Sequence, residues 1–171
     1  MSAVVFAGPS LAGTAAPEGV TLAPPAAAGD LYRAARAGAR VIGLVDGVFE
    51  DRPTVWHKEI LWALDRGARV LGAASVGALR AAECAAFGME GIGRVFAAVR
   101  DGAIEDDSDL AVIHAPGALG WHPLTEARVN VRATLAAAVV YTALCARAAV
   151  AAAATTRTTR SADPAGLRHA A

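Results

Sequence analysis

The sequence predicts an α/β fold: a three-layer, mostly parallel sheet of about four strands, helices on both faces, and a long C-terminal helix. Two observations carry this. Short apolar runs, "AVVFAG" (3–8), "RVIGLVDG" (40–47) and "ARVLGAAS" (68–75), alternate with stretches of helical spacing. The runs are also apolar throughout rather than at every second position, which is the pattern of strands covered on both faces. Crossovers between such strands are right-handed.

The first run closes at Gly8-Pro9-Ser10, and a loop rich in Gly, Pro and Ala leads to Gly29. "DLYRAARAG" (30–38) then has helical spacing with Asp30 as its N-cap. The second run precedes the helix "TVWHKEILWALDRG" (54–67), with Pro53 before it and Gly67 at its end, the usual asymmetry. The third feeds "VGALRAAECAAF" (76–87) as a helix, and "GIGRVFAAVRDG" (91–102) is a shorter one. "LAVIH" (110–114) is the expected fourth strand, and Pro123 opens the final helix. The Ala-rich part of that helix (133–154) reads as a soluble packing helix rather than a membrane span. Alanine has little transfer energy, and Arg147 interrupts the run. Residues 1–154 are expected to form one domain, and residues 155–171, without periodicity, a disordered tail.

Sixteen acidic residues balance sixteen basic ones. A nucleic-acid surface needs a basic excess on one face, so this balance argues against one. Cys84 and Cys145 have neither CxxC spacing nor histidines at ligand intervals. They read as buried thiols in a reducing cytosol, without a metal. The N-terminus lacks the basic region of a signal peptide, so the expected location is cytoplasmic and off the membrane. No G-x-G-x-x-G or Gly-Lys-Ser/Thr marks a nucleotide site. "IEDDSDL" (104–110) lacks EF-hand spacing and reads as a solvated acidic loop.

In an open parallel sheet, ligands bind beyond the carboxyl ends of the strands. Ser10, Asp46 and Ser75 all fall there. In "GAASVGALRAAE" (72–83), Ser75 stands at a strand-to-helix turn between Ala73 and Gly77. That approximates a G-x-S-x-G nucleophile elbow with Ala for the first Gly. Backbone N–H groups of Val76 and Gly77, together with Ser10, would hold an oxyanion or another anion. The alternative is that Ser75 only caps its helix.

A serine nucleophile needs a base. Lys58 and His57 begin a helix on the same edge, and Ser-Lys pairs are a variant of the catalytic triad. Lys58 is the single lysine among sixteen Lys and Arg residues. A lysine becomes a base when its pKa falls, whereas arginine stays protonated. An ion pair of Lys58 with Glu59 or Asp46 is the competing reading, as is His57 capping the helix or packing on Trp56. The catalytic candidates are therefore Ser75, Lys58, Asp46 and His57, with Glu50, Arg80 and Glu83 as further cleft residues.

"GDLYRAARAGARVIGLVDGVFEDRPTVWHKEILWALDRGARVLGAASVGALRAAE" (29–83), "FGMEGIGRVFAAVRDGAIEDD" (87–107), "LTEARVNVRATL" (124–135) and "VFAGPSL" (5–11) resemble the core domain of the TfuA-like family. The resemblance implies partnership with a YcaO-type, ATP-dependent enzyme that replaces a backbone amide oxygen with sulfur. Such thioamides occur in ribosomally made natural products and in methyl-coenzyme M reductase. It also implies that this protein supplies or releases sulfur by hydrolysing a thiocarboxylated, ubiquitin-like carrier protein. ATP would bind the partner enzyme and the peptide would be met through it, leaving this chain without a cofactor. A non-catalytic adaptor that recruits or activates the YcaO-type enzyme is the other reading.

Overall fold

The computed structural model describes residues 2–48 and 52–160. Among these, five strands form one parallel sheet: β1 (Ala3–Phe6), β2 (Val20–Ala23), β3 (Val41–Leu44), β4 (Arg69–Ala73) and β5 (Glu90–Ile92). Their order is β2-β1-β3-β4-β5. The helices are α1 (Asp30–Arg36), α2 (His57–Asp65), α3 (Ser75–Cys84), α4 (Gly93–Arg100) and α5 (Arg128–Arg160). The chain divides into two compact units, residues 1–129 and residues 130–171.

The parallel α/β class holds, with five strands where about four were expected. Pleat alternation sorts the strand residues into two faces. Phe6, Leu44 and Gly72 lie in register on one face, and Ile42 and Val70 share it. Phe6, Ile42, Leu44 and Val70 belong to the core cluster, to which α1 adds Leu31, α2 adds Ile60 and Ala63, and α3 adds Ala81 and Cys84. Phe96 of α4 packs against the same cluster. On the opposite face Val5, Gly43 and Leu71 align, and they are only half-buried.

The four helices of this unit thus share one face, and the second helical layer is not found among its described residues. Topology supplies the reason. The steps β2→β3, β3→β4 and β4→β5 all run in one direction across the sheet, so right-handed crossovers bring α1, α2 and α3 to one side. Only β1→β2 steps the other way, and it does so through a short 3-10 turn (Pro9–Leu11) and a loop.

Other elements differ from expectation for local reasons. The sequence "LAVIH" is not a strand. Asp107–Leu110 is a 3-10 turn, and His114 makes only an isolated bridge to Pro123. Pro116 and Pro123, which lack N–H donors, leave little ladder to build. That bridge, with Leu124 N–H bonded to the Ile113 carbonyl, delays the last helix from Pro123 to Arg128. The acidic stretch is only partly solvated, because Asp109 and Leu110 are buried and Asp109 pairs with Arg128.

Asp30 is the first helical residue rather than the cap. Gly29, at φ 87°, is the cap, and the Asp30 carboxylate accepts from Ala27 N–H and pairs with Arg33. In α5 residues 130–150 are exposed. By length and composition alone the stretch Arg128–Val150, of mean hydropathy 1.7, is long and apolar enough to cross a membrane. Cys84 is buried as expected, whereas Cys145, on α5, is exposed.

Candidate functional site

The connection leaving β1 runs to one side of the sheet and the one leaving β3 to the other. The crevice between their carboxyl ends is therefore the topological switch point, the usual ligand position in such sheets. Asp46 occupies it, 2% exposed. Its Oδ2 accepts from the backbone N–H of Gly8 (2.8 Å) and of Ser10 (2.9 Å), and its Oδ1 accepts from the Ser10 hydroxyl (2.7 Å). The carboxylate thus buckles the β1 loop to the β3 loop. With both oxygens engaged, Asp46 positions backbone here, and Ser10 is committed to it.

The elbow is present, shifted by one residue. Ala74 turns the chain from β4 into α3 with φ 53° and ψ −160°, a region nearly restricted to glycine. Ser75 follows as the first helical residue, without a side-chain cap bond, so the capping role does not account for it. Strain of this kind gathers at functional sites, because only a surrounding structure that over-determines the backbone can hold it. Here the hold is visible. The Gly77 N–H donates to the Val45 carbonyl at 3.2 Å, and a Cβ on Gly77 would run into the Leu44 carbonyl oxygen. Gly72 is equally tight against Gly77.

Gly77 therefore spends its N–H on β3, while the N–H groups of Ser75 and Val76 take no acceptor among the described residues. Ser75 opens onto a crevice bordered by Gly47, Leu79, Asp107 and Leu110, with about 20 Å³ of free volume. That is room for one water molecule.

The other candidates gather elsewhere along α3. His57 Nε2 lies 2.8 Å from Glu83 Oε2, and Arg80 donates to the same oxygen at 2.6 Å and to the Val55 carbonyl at 2.9 Å. These bonds fasten the start of α2 to the third turn of α3. Glu83 is eight residues beyond Ser75, about 12 Å of helical rise. Lys58 is exposed in the first turn of α2 and meets no carboxylate among the described residues; no hydrogen bond joins it to Ser75. A cation there faces the positive end of the helix dipole, so helix stability does not explain it. Glu50 lies outside the described residues.

Glu59 was not singled out from the sequence except as an ion-pair partner, yet it organises this edge. Buried at 7% exposure, it accepts from Trp56 N–H (2.8 Å) at its own helix and from Gly29 (3.1 Å) and Leu31 (3.1 Å) at the start of α1. One carboxylate thereby caps two helices. Its bond back to the Trp56 N–H is the Glu half of a capping box, but with Trp rather than Ser or Thr at the cap the sequence lacks the full signal.

Ala74 gives no signal by residue type. Only the strand-turn-helix context of "GAAS" points to it. Burial raises the Cys84 thiol pKa, Glu83 raises it further, and Arg80 opposes the shift, which disfavours the thiolate form that nucleophilic chemistry needs. Among the described residues no three His, Cys, Asp or Glu side chains group as a metal site.

No curated protein matches the chain closely enough to count as a relative. The family model described as TfuA-like protein matches residues 46–161, which takes in Asp46, α2, the elbow and all of α5. With more than half of its length matched, the chain belongs to the TfuA-like protein family.

Proposed function

We propose that the protein is an accessory component of peptide backbone thioamidation. It works in the cytosol beside a YcaO-type, ATP-dependent enzyme and releases sulfide from a thiocarboxylated, ubiquitin-like carrier protein. Family membership supports the setting. The observation that carries the chemistry is the strained Ala74, which sets Ser75 and two unengaged N–H groups at one crevice.

In this reading Ser75 Oγ attacks the carbonyl carbon of the carrier's C-terminal thiocarboxylate. The oxyanion rests on the N–H groups of Ser75 and Val76. The C–S bond breaks, and the serine proton leaves with sulfur as hydrosulfide. Lys58 relays that proton as the base. Water then cleaves the ester, returning the serine and a carrier carboxylate. ATP binds the partner enzyme, and the peptide substrate is met there.

The adaptor reading is favoured by one observation. The Ser75 crevice has room for no more than a single water, and α2 is fastened to α3 some two turns away from it. An adaptor would recruit or activate the YcaO-type enzyme without chemistry of its own.

Sulfide release from a thiocarboxylated carrier by wild type, Ser75→Ala and Lys58→Arg separates the two. The hydrolase reading expects both variants to lose about 10²–10⁴-fold in rate while still binding the partner enzyme. Wild-type thioamidation by Ser75→Ala in the reconstituted system with ATP would establish the adaptor.

A further inference from the structure

Away from the strand-end crevice, the last turns of α1 and α2 leave a groove of about 590 Å³ lined by Tyr32, Ala35, Arg36, Trp62 and Arg66. We propose that this groove docks an acidic peptide segment of a protein partner, its carboxylates on Arg36 and Arg66 and an apolar side chain on Trp62. Spacing puts the lining on facing stripes. Tyr32, Ala35 and Arg36 are neighbours on α1, and Trp62 and Arg66 are neighbours on α2. The Tyr32 and Trp62 rings meet at 4.6 Å between centroids, tilted by 57°. The Arg66 guanidinium lies 4.9 Å from the Trp62 ring centroid. That contact holds the planar fork in place while leaving its N–H edge free for a carboxylate.

Helix dipoles explain why cations sit at these helix ends, since Arg36 is in the last turn of α1 and Arg66 caps α2. They do not explain the missing partners. Arg33, Arg69, Arg80, Arg100 and Arg128 each hold a carboxylate, whereas Arg36 and Arg66 hold none among the described residues. The groove lining carries two guanidinium groups and no acid. Trp, Tyr and Arg are also the residues that dominate binding energy at protein interfaces. Charge complementarity therefore selects an acidic occupant, and paired Arg–carboxylate contacts give it geometry. A peptide is favoured over a polynucleotide because the chain has a net charge of +0, without the basic excess that phosphate tracking needs.

The test is fluorescence anisotropy with a fluorescein-labelled Glu-Glu-Leu-Glu-Glu peptide, using the full chain. The glutamine version of the peptide and a single-stranded oligonucleotide of equal charge serve as controls. The peptide is expected to bind saturably below about 1 mM and to weaken as salt rises. Arg36→Glu with Arg66→Glu should weaken it about tenfold or more, and the same double variant should gain affinity for the Lys-Lys-Leu-Lys-Lys peptide. Both arginines are exposed, and an unchanged melting temperature confirms that the variant folds. Absent saturation, indifference to charge reversal, equal binding of the glutamine peptide or tighter binding of the oligonucleotide would each overturn the proposal.

Discussion

Asp46 and Ser10, thirty-six residues apart, are joined twice: the Ser10 N–H and the Ser10 hydroxyl donate to different oxygens of one buried carboxylate. Removing that carboxylate orphans three donors at once, with Gly8 as the third. Asp46→Ala is expected to cost about 3–5 kcal/mol, since each bond to a charged group contributes about 1.5–3 kcal/mol and the losses overlap. Ser10→Ala, which removes one such bond, should cost about 1.5 kcal/mol. Urea unfolding of both variants measures the difference. A loss below about 1 kcal/mol for Asp46→Ala would mean that the carboxylate is not scaffold, and its role at the site would reopen.

Glu59→Ala removes the cap from two helices at once. A single cap contributes about 0.5–2 kcal/mol, so a loss of about 2–4 kcal/mol is expected. Glu59→Gln retains one acceptor oxygen and should lose less. Hydrogen exchange gives the sharper reading: amides at the start of α1 should lose protection in Glu59→Ala although the substitution lies in α2. Protection changes confined to α2 would contradict the double cap.

Ala74 holds a backbone that glycine adopts freely. Ala74→Gly relieves about 1–3 kcal/mol of strain against about 0.4–1 kcal/mol of added unfolded-state entropy. The variant should be as stable as wild type or more stable by about 1 kcal/mol. Ala74→Val should be markedly destabilised. If the strain serves function, Ala74→Gly will keep its stability and still lose sulfide release. Equal activity would show the strain to be incidental.

The two cysteines should separate by accessibility. Cys145 is exposed and should react with a thiol reagent in the folded protein, whereas Cys84 should react only on unfolding. The pH dependence has a definite sign. Burial raises the folded Cys84 pKa, so above the ordinary thiol value of about 8.5 the unfolded chain sheds a proton that the folded chain keeps. Stability linked to this thiol is present in full below that pH and declines as pH rises through it. Cys84→Ser should remove that alkaline slope, and its persistence would place the cause in another group.

The sequence disclosed β1, β3, β4 and all five helices because each is a continuous apolar run or a periodic stretch with a stop signal. It hid β2 and β5, which are four and three residues long and lie at the sheet edges. β1 and β3 are as short as β2, but they sit in continuous apolar runs, whereas "VTLA" and "EGI" do not, and β5 is tied to β4 partly by the Arg69–Glu90 pair. "LAVIH" misled for the opposite reason: its composition suits a strand, and the flanking prolines deny it one.

At the candidate site, the place of Ser75 at a strand-to-helix turn was legible from the sequence context. The engagement of Asp46 with Ser10 was not, since nothing in either residue's neighbourhood marks a partner thirty-six positions away. The one-sided placement of the helices was also out of reach, because it follows from strand order rather than from any single stretch.

Gly77 is wedged against the Leu44 carbonyl and bonded to Val45, and Gly72 abuts it from β4. The first turn of α3 therefore behaves as a fixed jamb. It has no slack to withdraw, and tilting α3 would drive backbone into backbone. Any guest larger than a water must gain its room from the opposite wall, where Asp107 and Leu110 stand on a turn of four residues held by the Asp106 carboxylate and the Ser108 N–H. The α3 side of the crevice is thus fixed by backbone contact, and its width is set by where the acidic turn stands.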